Sequence, residues 1–154
     1  VAAEHYRQAM RQVPSPVALV TTSHAGERFG LTATAIASVS AEPAQVLVCI
    51  LAGTRTGEAV SSAGCFAVNF LTPQQESLSN RFARPGDLPK FEVGDWRTGL
   101  HSLPVLAEAM AVFECLVVNE IASGTHLVFI GRVIGAHWSE RPALIYRQGG
   151  YGSY

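Results

Sequence analysis

Along this chain, apolar positions take helical spacing in only a few places. Elsewhere they come in runs that suit strands. Residues 4–12 put Tyr6, Ala9, Met10 and Val13 on one side of a short amphipathic helix, which Pro14 and Pro16 end. Residues 17–22 form a β-rich run, residues 23–26 (Ser-His-Ala-Gly) supply a turn, and residues 29–40 read as a second strand, so the pair predicts a hairpin. Residues 45–51 are continuously apolar and too short for a buried helix. The segment Gly53-Thr54-Arg55-Thr56-Gly57 breaks that run, residues 58–63 suit a helix, and residues 65–71 suit another strand. Thr72 as N-cap, Pro73 behind it and Gln75 completing a capping box predict a helix reaching Ala83. Residues 84–104, punctuated by Pro85, Gly86, Pro89, Gly94, Gly99 and Pro104, read as a loop of a length that is usually functional or packed on a partner. Two long strands, 111–122 and 126–139, follow around Ser123, Gly124 and Thr125. A short strand at 142–147 precedes a glycine-rich end. Hairpin-joined strands with few, peripheral helices favour an antiparallel barrel over a βαβ sheet.

Composition narrows the picture. The 154 residues predict a single domain spanning 1–154. Only 15% of them are charged, against about 25% in a typical soluble domain, so part of the surface is expected to be covered by a second subunit or a ligand. A net charge of −1 with no basic stripe argues against nucleic acid. No apolar run approaches the roughly 18 residues of a membrane span. The opening Val-Ala-Ala-Glu-His shows no secretory signal pattern, and without an initiator Met it leaves room for residues upstream of Val1. Cys49, Cys65 and Cys115 make no CxxC pair and no zinc spacing, so reduced, buried thiols in a cytoplasmic protein are expected, with no metal site.

Several catalytic signatures are missing: there is no GxGxxG, P-loop, GxSxG or HExxH, and the five histidines are scattered. A bound cofactor doing the chemistry fits such a chain better than a protein nucleophile. Residues 31–40 are almost all small, which leaves room for a flat molecule against the strand; taken alone, they fit a plain interior strand equally well. Arg55, with the Thr54 and Thr56 hydroxyls, precedes a helix start, whose free N–H groups and dipole attract phosphate; an isolated segment of this kind is more often an ordinary N-cap with a solvated Arg.

One ordered set of motifs goes further. Gly30-Leu31-Thr32-Ala33-Thr34-Ala35, then Ser38-Val39-Ser40, Pro43 and Val46-Leu47-Val48-Cys49 resemble the short-chain flavin reductase family, the reductase components of two-component flavin monooxygenases. The resemblance continues through Gly64-Cys65-Phe66-Ala67-Val68-Asn69, Asn80-Arg81-Phe82-Ala83, Lys90-Phe91, Trp96, Phe113-Glu114-Cys115, Gly124-Thr125-His126 and Gly131-Arg132-Val133, and so covers nearly the whole chain.

The resemblance implies a mainly β, antiparallel split β-barrel of Greek-key, FMN-binding type with a few peripheral helices. It implies an NAD(P)H:flavin oxidoreductase that passes a hydride from NADH or NADPH to FMN or FAD, works as a homodimer and supplies reduced flavin to an oxygenase component. Thr32, Ala33, Thr34, Ala35, Ser38 and Val39 would lie along the isoalloxazine. Cys49, Thr54, Arg55 and Thr56 would hold the flavin phosphate, and Asn80 and Arg81 the phosphate or ribityl. Ser40, His126 and Tyr151 would face the nicotinamide, with His126 the candidate catalytic residue, orienting the dinucleotide rather than exchanging protons. Many relatives read Gly-Asp-His where this chain has Gly124-Thr125-His126, so an acid at position 125 plays no part here. Lys90, Phe91 and Trp96 are expected to face the partner subunit or the flavin's far end, buried aromatics at a dimer contact being the favoured of the two. Two other readings stay open: reduction of another acceptor, such as a cobalt corrinoid or a ferric complex, and a non-catalytic flavin- or heme-binding barrel.

Overall fold

In the run that begins at Val17, alternate side chains enter two different apolar clusters: Val17 and Leu19 join one, Ala18 and Val20 the other. A strand with both faces buried needs cover on each side, and the rest of the chain supplies it. The computed structural model describes residues 1–86 and 88–154. Its elements are helix α1 (Ala3–Met10), strands β1 (Ser15–Pro16), β2 (Ala18–His24), β3 (Glu27–Ala33), β4 (Ile36–Ala41) and β5 (Ala44–Leu51), helix α2 (Arg55–Ala63), β6 (Cys65–Phe70), helix α3 (Glu76–Ala83), and then β7 (Trp96–Thr98), β8 (Pro104–Leu106), β9 (Ala111–Ser123), β10 (His126–Trp138), β11 (Leu144–Arg147) and β12 (Gly150–Ser153). Seven strands form one antiparallel sheet in the order β3-β2-β6-β9-β10-β5-β4; β1, β11 and β12 form a second sheet, and β7 pairs with β8.

The expected hairpin is present. β2 and β3 pair from Ala18 opposite Ala33 to His24 opposite Glu27, around Ala25 and Gly26, both with positive φ. That turn twists with its strands, and glycine takes the second position without a steric cost.

The single strand expected over 29–40 is two strands. Ala33 is the last residue paired to β2, and Ile36 is the first paired to β5, opposite Val48. Nothing in the local pattern breaks the run; the pairing partner changes. Three residues span at most about 10 Å, so Thr34 and Ala35 bring the two outer strands of the seven-stranded sheet close together at this end. The Cys49 amide donates to the Ala35 carbonyl at 3.0 Å and fastens the link. The sheet therefore rolls around Ala18, Val20, Ala33, Val48, Ile50, Phe66, Val68 and Phe129, while β3 and β4 stay unpaired with each other.

The second cluster covers the other face of β2: Leu71, Leu78, Phe82, Leu106, Val112 and Leu144 gather there with Val17 and Leu19, and Phe91 and Trp96 pack against them. The loop expected over residues 84–104 is partly structured. Phe91 and Trp96 meet Phe82 of their own chain at ring separations of 5.1 and 5.6 Å, and the stretch contains the β7–β8 pair and short helical turns. Asp87 lies outside the described residues. Helix α1, by contrast, buries no side chain.

Gly131 sits where β10 crosses the core. A Cβ there would come within 2.5 Å of Phe66 Cζ and 2.7 Å of Cys115 Cβ, both fully buried. Gly131→Ala is therefore expected to cost about 1–3 kcal/mol through overpacking, read as a lower urea midpoint with an unchanged slope.

Candidate functional site

The α2 N-terminus is built by Thr54. Its backbone is extended, its Oγ1 accepts from the Gly57 amide at 3.2 Å, and its hydroxyl donates to the Leu51 carbonyl at 2.9 Å. That cap leaves the Arg55 and Thr56 amides without an acceptor inside the helix. Helix α2 begins three residues earlier than the sequence predicts because Gly57 is a packing position: a Cβ there would lie 3.3 Å from Ile50 and 3.1 Å from Thr54 Oγ1.

Between this helix start, β3, Gly86 and residues 88–92 lies a cleft of about 690 Å³, within the usual range for small-molecule sites of about 300–1,000 Å³. Arg28, Arg55 and Lys90 bring positive charge to it, Glu27 and Glu92 negative charge, and Thr56, Gly30 and Phe91 are among its other walls. Arg55 Nη2 contacts Glu27 at 2.6 Å and the guanidinium lies over Phe29; Arg28 lies over Phe91 at 4.9 Å. Lys90 Nζ donates to the Gly30 and Phe82 carbonyls at 3.3 and 3.2 Å, and partial burial holds its pKa below the ordinary lysine value. A helix start together with exposed arginines fits a phosphate monoester or pyrophosphate, for which the Glu27 carboxylate is the counter-charge to be displaced. The residues present thus fit a flavin nucleotide.

A second network joins three of the expected residues through one that the sequence did not single out. Thr32 Oγ1 donates to the Ser79 carbonyl at 2.6 Å, and Ser79 Oγ lies 2.8 Å from the Tyr151 hydroxyl. Because Tyr151 donates to Asn80 Oδ1 at 3.1 Å, Ser79 is the donor in that contact. Ser79 is fully buried; its signal was a small polar residue between Leu78 and Phe82, on the buried face of α3. Tyr151 belongs to a paired strand, β12, and its ring meets Tyr146 at 5.3 Å. Arg81 points elsewhere, donating through Nε and Nη2 to the Pro89 carbonyl.

The remaining expected residues are spread out. Thr34 and Ala35 are exposed on the link between sheet edges, and Cys49 is half-buried on β5 opposite Val128. Val39 is the extra residue of a bulge between Ser38 and Ser40, a device that re-aims neighbouring side chains. His126 opens β10 opposite Leu51, with Nδ1 2.9 Å from the Thr125 hydroxyl, while the Thr125 carbonyl accepts from the Ala52 amide. The structure thus sets His126 beside the segment that leads to Thr54, Arg55 and Thr56. It does not join Ser40, His126 and Tyr151: they lie on β4, β10 and β12, and no contact among the described residues links them.

The cysteines are free. Burial raises the Cys65 pKa, and burial with the neighbouring Glu114 carboxylate pushes that of Cys115 up to about 12, so both are neutral thiols near pH 7. Among the described residues no cluster of His, Cys, Asp or Glu could hold a metal, and no helix is long and apolar enough to cross a membrane.

The family model described as the flavin reductase like domain matches residues 10–154. The chain belongs to that family. Among flavin reductase relatives, the "FMN reductase (NADH) RutF" of Ancylobacter novellus is 36% identical over 148 residues, covering 95% of this chain and 82% of that one. The reductase component of the 4-nitrophenol 4-monooxygenase/4-nitrocatechol 2-monooxygenase of Rhodococcus opacus is 34% identical over 97% of this chain and 80% of its own length. The structure of the Streptomyces globisporus C-1027 NADH:FAD oxidoreductase SgcE6 superposes with a TM-score of 0.90 at 30% identity, covering 97% of this chain and 91% of that one. The chain spans about half of a Rhizobium meliloti (strain 1021) relative, 47% of it, at 39% identity.

Proposed function

We propose that this chain is an NADH-dependent flavin reductase that reduces FMN or FAD. The observation that carries the reading is the cation-lined cleft at the α2 N-terminus, in a chain whose relatives are named for FMN, FAD and NADH. Flavin supplies the hydride-accepting centre when bound. In this reading Arg55, the Arg55 and Thr56 amides and the helix dipole bind its phosphate, and Arg28 adds charge at the cleft mouth. Thr32, Ala33, Thr34, Ala35, Ser38 and Val39 line the ring, and Asn80 is held toward it by Tyr151. His126, its Nδ1 engaged by Thr125, presents Nε2 to the carboxamide of the nicotinamide and fixes its approach; hydride transfer needs close stacking and no general base.

Finer readings follow from the same family. The rolled, unclosed sheet, with its edges joined at Thr34 and Ala35, supports a split barrel within a single domain. The apolar face formed by Ile36, Ala37, Phe70, Phe113 and Val133 suits a second copy of the chain. Such a homodimer would let the partner complete the nicotinamide site that Ser40, His126 and Tyr151 do not form within one chain. The Rhodococcus relative supports an oxygenase component as the consumer of reduced flavin.

The test is NADH oxidation followed at 340 nm with FMN, FAD and riboflavin. Flavin-dependent oxidation is the expected result; tight flavin binding with no oxidation would turn the reading toward a carrier. His126→Ala should raise the KM for NADH more than it raises the flavin Kd, and the opposite pattern would assign His126 to the flavin. Arg55→Ala should weaken FMN binding by about 1–3 kcal/mol.

A further inference from the structure

Opposite charges already face each other in the cleft at the α2 N-terminus. Among its described lining residues Arg28, Arg55 and Lys90 stand against Glu27 and Glu92, an excess of one positive charge. A phosphate monoester brings about −1.5 to −2 at pH 7, more than that excess can balance. Glu27 is the carboxylate placed to compete with it. The residue opens β3 opposite His24, and Ser23 Oγ donates to its carbonyl at 3.3 Å, so the β2–β3 hairpin sets its backbone. From there the side chain crosses to α2, where Oε1 meets Arg55 Nη2 at 2.6 Å. Both side chains are more than half exposed, and a pair so exposed is weak enough to open for another anion. The guanidinium also lies over the Phe29 ring, 5.4 Å from its centroid, a support that a departing carboxylate does not remove.

We infer that Glu27 competes with the phosphate of a flavin nucleotide for Arg55, and so keeps the flavin exchangeable, a substrate that leaves rather than a resident group. The inference rests on the reductase reading and deepens it by naming the residue that decides whether the flavin stays. When the phosphate docks, the Arg55 guanidinium passes from one anion to the other. The displaced carboxylate remains in the same cleft, where like charges repel and oppose the bound state. As the phosphate leaves, Glu27 returns to Arg55. A flavin without a phosphate takes no part in this exchange, so Glu27 acts on FMN and leaves riboflavin alone.

The experiment titrates FMN and riboflavin by flavin fluorescence against the wild type, Glu27→Gln, Arg55→Ala and the double variant. Glu27→Gln should lower the FMN Kd about fivefold, the upper end for releasing an exposed ion pair, and should leave the riboflavin Kd unchanged. Added salt should narrow the difference. FMN dissociation, followed by the recovery of fluorescence on dilution, should slow by a similar factor. In the Arg55→Ala background the gain should disappear. No gain for FMN, an equal gain for riboflavin, or a full gain without Arg55 overturns the competition, and a gain lying wholly in association overturns the role in release. Under each of these a wild type that reduces flavin with NADH is still a reductase. A wild type that binds neither flavin overturns the reductase reading, and the role of Glu27 with it.

Discussion

Phe82→Ala is expected to lower stability by about 3–5 kcal/mol, the usual cost of emptying a buried aromatic site, and to weaken FMN binding as well. Phe82 is 1% exposed and sits between two constituencies. On the core side it packs with Leu78 and Leu106. On the cleft side its ring lies against the Gly30 backbone, so closely that a Cβ on Gly30 would come within 2.7 Å of it, and it meets the Phe91 ring edge-on. Its carbonyl also accepts from Lys90 Nζ. Gly30, Lys90 and Phe91 are all walls of the cleft, so the truncation removes the surface that holds them apart. Urea unfolding with and without FMN checks both parts. A loss confined to stability, with FMN affinity intact, would show that the cleft wall stands without Phe82.

Asn69→Leu should be about as costly, at about 2–5 kcal/mol, although it keeps the branched outline of the side chain and adds apolar surface. Asn69 is fully buried on β6. Its Nδ2 donates to the Leu19 carbonyl and to Thr21 Oγ1, each at 3.1 Å, and its Oδ1 accepts from the Leu106 amide at 2.8 Å. Thr21 in turn donates to the Pro104 carbonyl at 2.6 Å. One side chain therefore ties β2, β6 and β8 together where water does not reach. Leucine would leave a buried amide and a carbonyl short of partners, each costing about 1–3 kcal/mol. Chemical denaturation of Asn69→Leu beside Asn69→Ala separates the two contributions: the alanine variant adds a cavity, and a leucine variant as stable as wild type would mean that the network is dispensable.

How far such features can be read from a sequence depends on whether their cause is local. The hairpin at Ala25 and Gly26, the capping box, in which the Thr72 amide donates to Gln75 Oε1, and the long β9–β10 pair were all legible, because turn and capping chemistry act within a few residues. The break at Thr34 and Ala35 was not, since it follows from a change of partner strand with no breaker residue to announce it. Gly57 looked like a stop and is a helical residue chosen for close approach to Ile50. The candidate site divides the same way. Arg55 at a helix start was visible; its pairing with Glu27, 28 positions away, and the reach of Tyr151 across 71 and 72 positions to Asn80 and Ser79 were not.

The ladder between β5 and β10 pairs Leu51 with His126, 75 positions further along the chain. Contacts of such wide separation reward the chain only after a long loop has closed, which places folds of this type toward the milliseconds-to-seconds range. During synthesis the delay is longer. At about 5–20 residues per second, roughly 4–15 s pass between the emergence of Leu51 and that of its partner. Through that interval the apolar run from Val46 to Leu51 has an unpaired edge, so its exposure to other nascent chains is set by the rate of translation.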